Sequence, residues 1–295
     1  MSKRSRDRHL AKLAAQRQAE RSAALRRRNR IVGVIAGVIA VVVAIVGLGL
    51  ILGGGDTTTT TGASATPSAS PTPSPSPSAA PGTKTGTVTP TAATENGAVA
   101  CGAQAPPEAG KPKPQFAGPP PMKVDVKATY RATMVTSCGT IVIELDAKRA
   151  PETVNSFVFL ADKGYFDGQY FHRLDTSIDV IQGGDPTGTG QGGPGYAIPD
   201  QLKGDEKYTP GTLAMANAGP DTGGSQFFII TGPAGANLNS APNYTIFGHI
   251  VKGLDVAKRI QQLPIVDPQA AAAGDLSGQR PREAVYLERV TISEG

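Results

Sequence analysis

The aromatic side chains of this 295-residue chain are confined to its C-terminal part, and this confinement limits where a folded core can form. Fourteen of the fifteen Phe and Tyr residues lie at or after Tyr130. Large apolar side chains supply most of the surface that folding removes from water. We therefore predict one folded block over residues 123–295, which is long enough to bury a single core. A globular fold of the whole chain is excluded.

The charges are divided just as sharply between the two ends of the chain. Residues 1–30 carry 11 Lys and Arg against 2 Asp and Glu, whereas residues 124–295 carry 14 against 19. The formal net charge of +5 therefore comes from a short basic tail, and the main block is mildly acidic. A main domain that binds nucleic acid would need a basic surface, so this function class is excluded.

A run of 22 uncharged residues, Ile31 to Leu52, follows the basic tail. As a helix it would be about 33 Å long, enough to cross the hydrocarbon core of a bilayer. The basic cluster at residues 26–30 then predicts a cytoplasmic N-terminus, with everything after residue 52 outside the membrane. A cleavable signal sequence with Ala63-Ser64-Ala65 as its cleavage site is the alternative, but the run is long for one. We predict a retained, single-pass signal-anchor helix over 31–52 at the cell membrane.

The segment between this apolar run and the aromatic block is rich in Pro, Ser, Thr and Ala. Residues 53–122 contain 14 of the 25 prolines and few large apolar side chains. Such a composition does not bury enough apolar surface to offset the loss of chain entropy. We predict that residues 53–122 form a disordered linker.

From Tyr130 onwards, short β-type runs alternate with Gly, Pro and Asp turns. Two segments, Pro151–Lys163 and Leu254–Leu263, have apolar residues at the spacing of amphipathic helices. Because the strands and helices do not alternate regularly, we predict a mainly β fold, an eight-stranded antiparallel closed barrel with two capping helices. The predicted strands are Tyr130–Thr136, Thr140–Leu145, Tyr170–Leu174, Val180–Gln182, Thr212–Ala216, Gln226–Thr231, Thr245–Val251 and Ala284–Ile292.

Cys101 and Cys138 are the two cysteines of the chain, and both fall on the outer side of the predicted membrane helix. An oxidising exterior favours a disulfide between them, which would join the end of the linker to the second predicted strand. Two unlinked thiols are the alternative.

Several familiar kinds of reactive site can be excluded from the residues. Gly188 to Gly193 fits G-x-G-x-x-G, but Pro194-Gly195 follows where a dinucleotide-binding fold needs a helix. The three histidines are not close in sequence to one another or to a cysteine, so no metal ligand set is indicated. No nucleophile elbow occurs. The sequence thus predicts neither a metal nor another cofactor.

Four motifs of the block are more specific: FHR at residues 171–173, QGGD at 182–185, LAMANAGPDTGGSQFFI at 213–229 and YTIFGHI at 244–250. Their identity and order resemble the cyclophilin family of peptidyl-prolyl cis–trans isomerases, over about residues 130–295. The resemblance implies an eight-stranded barrel with two helices, and isomerisation of Xaa-Pro bonds in polypeptides. Together with the predicted anchor, it suggests a bacterial, membrane-anchored isomerase that assists the folding of exported proteins.

The resemblance also implies roles for individual residues. Arg173 matches the catalytic arginine, Gln182 the glutamine that orients it, and Phe228 the aromatic floor of the proline pocket. Asn217 belongs with these as a fourth catalytic candidate, since it matches, with Ala216, the segment that pairs its main chain with the substrate. The remaining candidate substrate-binding residues are Phe171, His172, Val180, Gln226, Leu238 and Tyr244. Alternation along the strand predicts Phe171 and Arg173 on one face and His172 on the other.

The sequence departs from the family pattern near the predicted pocket. Asp179 and Val180 stand where the family usually has Phe-Met, Asn237 replaces a tryptophan, and Tyr244 replaces a histidine. Because that tryptophan is a main drug contact in the family, we predict weak binding of cyclosporin. A cyclophilin-fold module that binds Pro-containing segments without useful turnover is the alternative function.

Overall fold

The computed structural model describes residues 84–94 and 97–295. The predicted basic tail at 1–30, the predicted membrane helix at 31–52 and the linker as far as residue 83 lie outside this part of the chain. Within the part that is described, no helix is long and apolar enough to span a membrane.

The domain is built on one nine-stranded antiparallel sheet, in the order β5-β11-β3-β4-β10-β8-β9-β7-β6. Each pair in this order is antiparallel. The strands are β3 (Tyr130–Thr136), β4 (Gly139–Leu145), β5 (Gln169–Tyr170), β6 (Arg173–Asp175), β7 (Val180–Gly183), β8 (Thr212–Met215), β9 (Phe227–Ile230), β10 (Ile246–Lys252) and β11 (Tyr286–Glu294).

The two end strands of the sheet, β5 and β6, are consecutive in the chain. Only Phe171 and His172 separate them, and the backbone N–H groups of these two residues form hydrogen bonds near opposite ends of the strand order. The Phe171 N–H donates to the Val285 carbonyl beside β11, and the His172 N–H donates to the Gln182 carbonyl in β7. The sheet is therefore curled into a half-barrel, and this short segment links its two end strands. The prediction of eight strands was wrong in number, because the predicted strand Tyr170–Leu174 is interrupted here and counts as two.

Three helices accompany the sheet: α1 (Pro151–Asp162), α2 (Leu254–Gln261) and α3 (Pro268–Ala272). α1 begins with a proline, whose missing N–H is not needed in a first turn. The predictions of α1 and α2 are confirmed to within two residues at their ends. The five-residue α3 was not predicted; its N-cap is Asp267, whose side chain accepts hydrogen bonds from the Gln269 and Ala270 N–H groups. α3 lies in the α2–β11 connection, residues 262–285.

Aromatic rings fill the space inside the curled sheet. Phe227 of β9 and Phe157 of α1 are both fully buried, with their ring centroids 5.8 Å apart. Phe157 also packs on Phe166 at 4.9 Å and on Phe247 at 5.5 Å. These contacts hold α1 against the sheet, and they explain why the aromatic residues of the sequence marked the domain.

Residues 84–94 and 97–122, here called the N-terminal arm, correct the predicted linker. β1 (Lys84–Val88) and β2 (Lys113–Phe116) form a separate two-stranded sheet. Phe116 is 3% exposed and packs on Phe159 of α1 at 5.0 Å. The structure joins Cys101 to Cys138 by a disulfide, with the two Cα atoms 5.2 Å apart. The prediction of disorder up to residue 122 was wrong for the arm, because a few buried side chains and one covalent link outweigh its Pro-rich composition.

Candidate functional site

The candidate site is a cavity of about 80 Å³ on the outer face of strands β6, β7 and β9. Strand register explains which side chains meet there. Arg173 pairs with Gln182 across β6 and β7, and Gln182 pairs with Phe228 across β7 and β9. Directly opposed residues share one face of a sheet, so these three side chains lie side by side. The cavity is lined by Arg173, Ile178, Val180, Gln182, Ala216, Asn217, Phe228, Leu238 and Tyr244.

One end of the cavity is apolar. The Phe228 ring, 4% exposed, meets the Tyr244 ring edge-on, with centroids 5.2 Å apart. Leu238 reaches the same cavity from the 3₁₀-helical segment Pro233–Ser240. These side chains belong to a small apolar cluster separate from the barrel core. An apolar end of this size can accept one small ring.

Tyr208 holds Tyr244 in place from behind. The Tyr208 hydroxyl donates to the Tyr244 carbonyl at 2.7 Å and accepts from the Tyr244 N–H at 2.9 Å. Burial raises the pKa of Tyr208 above its ordinary value, so the hydroxyl keeps the proton that it donates. Tyr208 is fully buried, and sequence reasoning did not include it in the site.

The other end of the cavity is polar, and a chain of side-chain hydrogen bonds fixes it. Arg173 Nη1 donates to Gln182 Oε1 at 2.9 Å, and Gln182 Nε2 donates to Gln226 Oε1 at 3.0 Å. Gln226 Nε2 in turn donates to the Gly192 carbonyl at 2.8 Å. This chain sets the orientation of both amides, since each oxygen must face a donor.

Two more acceptors hold the Arg173 guanidinium. Asp175, which is buried, accepts from Nη2 at 2.5 Å. Gln279, 5% exposed, accepts from Nε at 2.5 Å. Three of the five N–H groups of Arg173 are therefore used, and two remain to donate elsewhere. The arrangement places a rigid, positively charged donor beside an apolar recess.

The amide of Asn217 is engaged with neighbouring loops rather than with Arg173. Its Nδ2 donates to the Asn243 carbonyl at 2.8 Å and to Asp200 Oδ1 at 3.3 Å. Ala216 precedes it at the cavity wall, and the Ala216 N–H donates to the Gln226 carbonyl at 2.9 Å. Asn217 thus fixes the path of the main chain at the edge of the cavity.

Two further cavities adjoin the first one and share Arg173 and Gln182 with it. The larger, about 420 Å³, is lined by the loop Gly190–Pro194 and by Gln226, which is where the structure places that predicted residue. The other, about 320 Å³, is lined by His172 and by Arg280 of the α2–β11 connection.

Besides Gln226, two more predicted substrate-binding residues lie outside the first cavity. Phe171 is fully buried and packs on Phe227 inside the sheet, with centroids 6.4 Å apart, so its assignment was wrong. His172 lines the cavity of about 320 Å³ instead. The predicted alternation failed because residues 171 and 172 do not continue the strand: Phe171 points inward while Arg173 points outward. Burial lowers the pKa of His172 to about 4, so its ring is neutral at neutral pH.

Sequence reasoning also missed two residues that shape the site. Asp175 lies two positions after Arg173, and strand alternation would have found it. Gln279 lies 106 positions away, and nothing local connects it to Arg173. Asp179, already noted as a departure from the family pattern, accepts from the Ala234 N–H at 2.8 Å and so ties the β6–β7 turn to the segment that carries Leu238.

Within residues 84–94 and 97–295, no three His, Cys, Asp or Glu side chains are grouped so that they could hold a metal ion.

Comparison with known proteins gives one consistent result. The sequence model of the family "Cyclophilin type peptidyl-prolyl cis-trans isomerase/CLD" matches residues 131–292. Peptidyl-prolyl cis-trans isomerase-like 1 of Mus musculus is 48% identical over 129 residues, 42% of this chain and 75% of that protein. Peptidyl-prolyl cis-trans isomerase A of Mycobacterium tuberculosis is 40% identical over 182 residues, 56% of this chain and 93% of that protein. A solved Cryptosporidium parvum cyclophilin-type isomerase aligns with a TM-score of 0.49 and 28% identity, covering 57% of this chain and 99% of that one.

Proposed function

The chain belongs to the cyclophilin-type peptidyl-prolyl cis-trans isomerase family, and on that premise we propose that it turns Xaa-Pro bonds of exported polypeptides outside the cytoplasmic membrane. The isomerase activity follows from the family. The place of action and the roles of individual residues are our proposal, and the arrangement of the cavity supports those roles.

The reaction is a rotation about a bond with partial double-bond character. The uncatalysed barrier is about 18–20 kcal/mol, because the amide loses its resonance at the twisted geometry. The rotation breaks no covalent bond, so it requires no nucleophile. A rate gain of about 10⁵ needs roughly 7 kcal/mol of stabilisation that is stronger in the twisted state than in either planar state.

Arg173 supplies the polar part of this stabilisation. When conjugation is lost, the prolyl nitrogen regains a lone pair, which can then accept a hydrogen bond. The two N–H groups of Arg173 that Gln182, Asp175 and Gln279 leave unused are available for this nitrogen and for a substrate carbonyl. Because three acceptors hold the guanidinium, it does not have to reorganise during the rotation.

The apolar end of the cavity holds the proline ring. Phe228 forms its floor, Leu238 and Tyr244 line its walls, and Val180 completes the apolar lining. The main chain at Ala216 and Asn217 forms the edge along which the substrate backbone lies. The recess holds the ring still while the preceding residue rotates. Contacts that are strongest in the twisted state then lower the barrier to rotation. The observation that carries the proposal is that one cavity brings Arg173 next to this apolar recess.

Exchange spectroscopy by NMR tests the activity directly. The full chain in detergent, added to an Xaa-Pro peptide, should raise the cis–trans exchange rate well above that in buffer, and Arg173→Ala should remove most of the gain. The replacement of a family tryptophan by Asn237 favours a second candidate, a binding module with little turnover. If peptide resonances shift on titration while the exchange rate stays at the buffer value, the binding module is correct.

The proposed location outside the membrane draws on three features. A basic tail precedes a 22-residue apolar run, both outside the part of the chain that the structure describes. The Cys101–Cys138 disulfide suits an oxidising compartment. Protease treatment of intact cells should release the isomerase domain while a cytoplasmic marker stays intact. A domain that becomes accessible only after lysis would contradict the proposed location.

Weak cyclosporin binding is part of the same proposal. Asn237, exposed beside Leu238, offers the drug much less apolar contact than the family tryptophan. Calorimetry should show weak binding to the wild-type protein and tighter binding to Asn237→Trp. A tight isotherm with the wild-type protein would contradict this expectation.

A further inference from the structure

The third cavity contains none of the apolar side chains of the recess, and the isomerase function does not use it. Its volume is about 320 Å³. Arg173 and Gln182 line it as well as the first cavity, so a polypeptide held across Arg173 has access to both. Its polar lining includes His172, Arg173, Gln182, Thr91, Ser277 and Arg280.

Two separate segments complete this cavity from outside the strands of the site. Thr91 comes from the N-terminal arm, which precedes the region that the family shares. Ser277 and Arg280 come from the α2–β11 connection, after α3. The cavity thus combines motif residues of the site with two segments of this chain that the motifs at residues 171–250 do not include.

His172 lines the cavity with a polar ring whose two nitrogens have no hydrogen-bond partner among the described residues. The residue is only 5% exposed, and both nitrogens are buried. Buried polar atoms are nearly always satisfied by protein, water or ligand. A neutral imidazole has one N–H, so the ring can donate one hydrogen bond into the cavity.

Arg280 gives the cavity a positive charge that no acid neutralises. Its Nη2 donates to the backbone carbonyls of Ala92 and Ala93, and its Nε is buried without a partner. No carboxylate of the described ranges lies within ion-pair distance of it. Arg173 differs in this respect, because Asp175 already balances its charge.

Asp185 is the acidic residue that acts most strongly on His172. It does not line the cavity. Its carboxylate already accepts from the Thr187 N–H and hydroxyl at 2.7 and 2.8 Å, and from the Gly190 N–H at 2.5 Å. Asp185 therefore leaves both the free N–H of His172 and the charge of Arg280 for another acceptor.

We propose that this cavity is a subsite for the carboxylate of an Asp or Glu residue close to the isomerised proline in the substrate. The carboxylate pairs with the Arg280 guanidinium and accepts from the His172 ring. The hydroxyls of Thr91 and Ser277 also line the cavity, but they already donate to the Thr187 carbonyl and to Asp275. A charged acceptor suits this set better than an amide does, because hydrogen bonds between ions are about twice as strong as neutral ones. The proposal rests on the isomerase function and names a substrate class for it.

Paired peptides test the preference. At each of the three positions before and after the proline, one peptide carries Glu and its partner carries Gln, and kcat/KM is measured by NMR exchange with the full chain. At one position we expect Glu to be preferred over Gln by about tenfold, the gain from one charge-assisted hydrogen bond. The preference should fall when the salt concentration is raised, because exposed parts of the cavity admit ions.

Arg280→Gln should bring the Glu/Gln ratio close to one, whereas Arg280→Lys should keep part of it. The matched control is Arg282→Gln: Arg282 donates to the carbonyls of Ile265 and Val266 in the same connection and does not line the cavity. This control should keep the wild-type ratio. Equal turnover of Glu and Gln peptides at all positions overturns the subsite while leaving the isomerase function intact; no turnover of any peptide overturns the function itself. If Arg280→Gln does not fold, the wild-type ratio and its salt dependence decide.

Discussion

Phe227 and Phe228 are neighbours in β9, yet they belong to two regions of the molecule with different roles. Phe227 points into the aromatic core, where it packs on Phe157 and Phe166 and is fully buried. Phe228 points to the outer face, where it meets Tyr244 and lies beside Gln182. Both rings are almost inaccessible to water, so burial alone does not separate a structural residue from a functional one.

The two faces differ in what surrounds each ring. The inner face is a continuous apolar cluster with contributions from α1 and from most strands. On the outer face, a small apolar cluster adjoins Arg173, whose hydrogen-bond partners come from β6, β7 and the α2–β11 connection. Substitutions on the inner face should therefore change stability first, and those on the outer face should change catalysis first.

The largest expected effect is on stability at the inner face. Phe227→Ala removes a fully buried ring and should lower the free energy of unfolding by about 3–5 kcal/mol. Phe228→Ala should cost less, because its ring borders an open cavity, but it should remove the floor of the proline recess and most of the activity. Chemical denaturation and NMR exchange on both variants measure the two effects. If the two variants lose the same stability and keep the same activity per folded molecule, the inner and outer faces do not differ in role.

The next effect is on catalysis at the outer face. Arg173→Ala should lower kcat/KM by about 10²–10³, the loss typical of removing one donor to the transition state. Arg173→Lys should recover little, because an ammonium group does not reproduce the planar set of donors that three acceptors hold. The midpoint of thermal unfolding should fall in Arg173→Ala, because the buried Asp175 and Gln279 lose their partner, and should fall less in Arg173→Lys, which keeps the positive charge. A lysine variant with near wild-type activity would mean that charge alone matters at this position.

His172 lies at the boundary between the two regions and should make stability depend on pH. In the unfolded chain its imidazole takes up a proton near pH 6.5, whereas burial lowers the folded pKa to about 4. Between these values the unfolded state binds more protons, so stability falls as the pH falls. We expect a loss on the order of 1–2 kcal/mol from this residue between pH 7 and pH 5.

The contribution of His172 is measured as the difference in urea stability between pH 7 and pH 5 in wild type and in His172→Gln. The variant should show the smaller difference, since the remaining acidic groups titrate in both proteins. NMR titration of the His172 ring gives an independent value. A ring that takes up its proton near pH 6.5 in the folded protein would contradict its burial.

Much of the sheet could be predicted from the sequence, because alternation and turn residues are local signals. Each predicted strand has a counterpart, and the mainly β antiparallel class is confirmed. The break at residues 171–172 was missed since it depends on how the sheet curls, which no local pattern records. The ordered N-terminal arm was missed for a related reason: Phe116 and Cys101 act through partners far along the chain, in α1 and at Cys138.

The candidate site shows the same division between local and distant information. Arg173, Gln182, Asn217 and Phe228 were found by motif, and strand register brings three of them side by side. The motif misplaced Phe171, because it carries no information on which face each residue takes. It also carried no sign of Gln279, whose contact with Arg173 is made only when the α2–β11 connection folds over the sheet.

Gln279 gives the smallest effect and the sharpest test of how far the outer face extends. It touches Arg173 but lies outside the recess for the proline, so we expect it to act as a positioning residue. Gln279→Ala should lower kcat by about threefold to tenfold, the scale of one lost hydrogen bond, and leave KM nearly unchanged. Gln279→Glu keeps an acceptor for Arg173 Nε and should recover part of the loss.

The matched control is Gln269→Ala, which alters the exposed α3 of the same connection and should keep full activity. Ser277→Asn is less suitable as a control, because Ser277 lines the neighbouring cavity. The Arg173 Nε–H resonance should be sharp in wild type and broadened in Gln279→Ala. If kcat is unchanged in Gln279→Ala while that resonance broadens, Gln182 and Asp175 suffice to hold the guanidinium, and the functional outer face ends at β6.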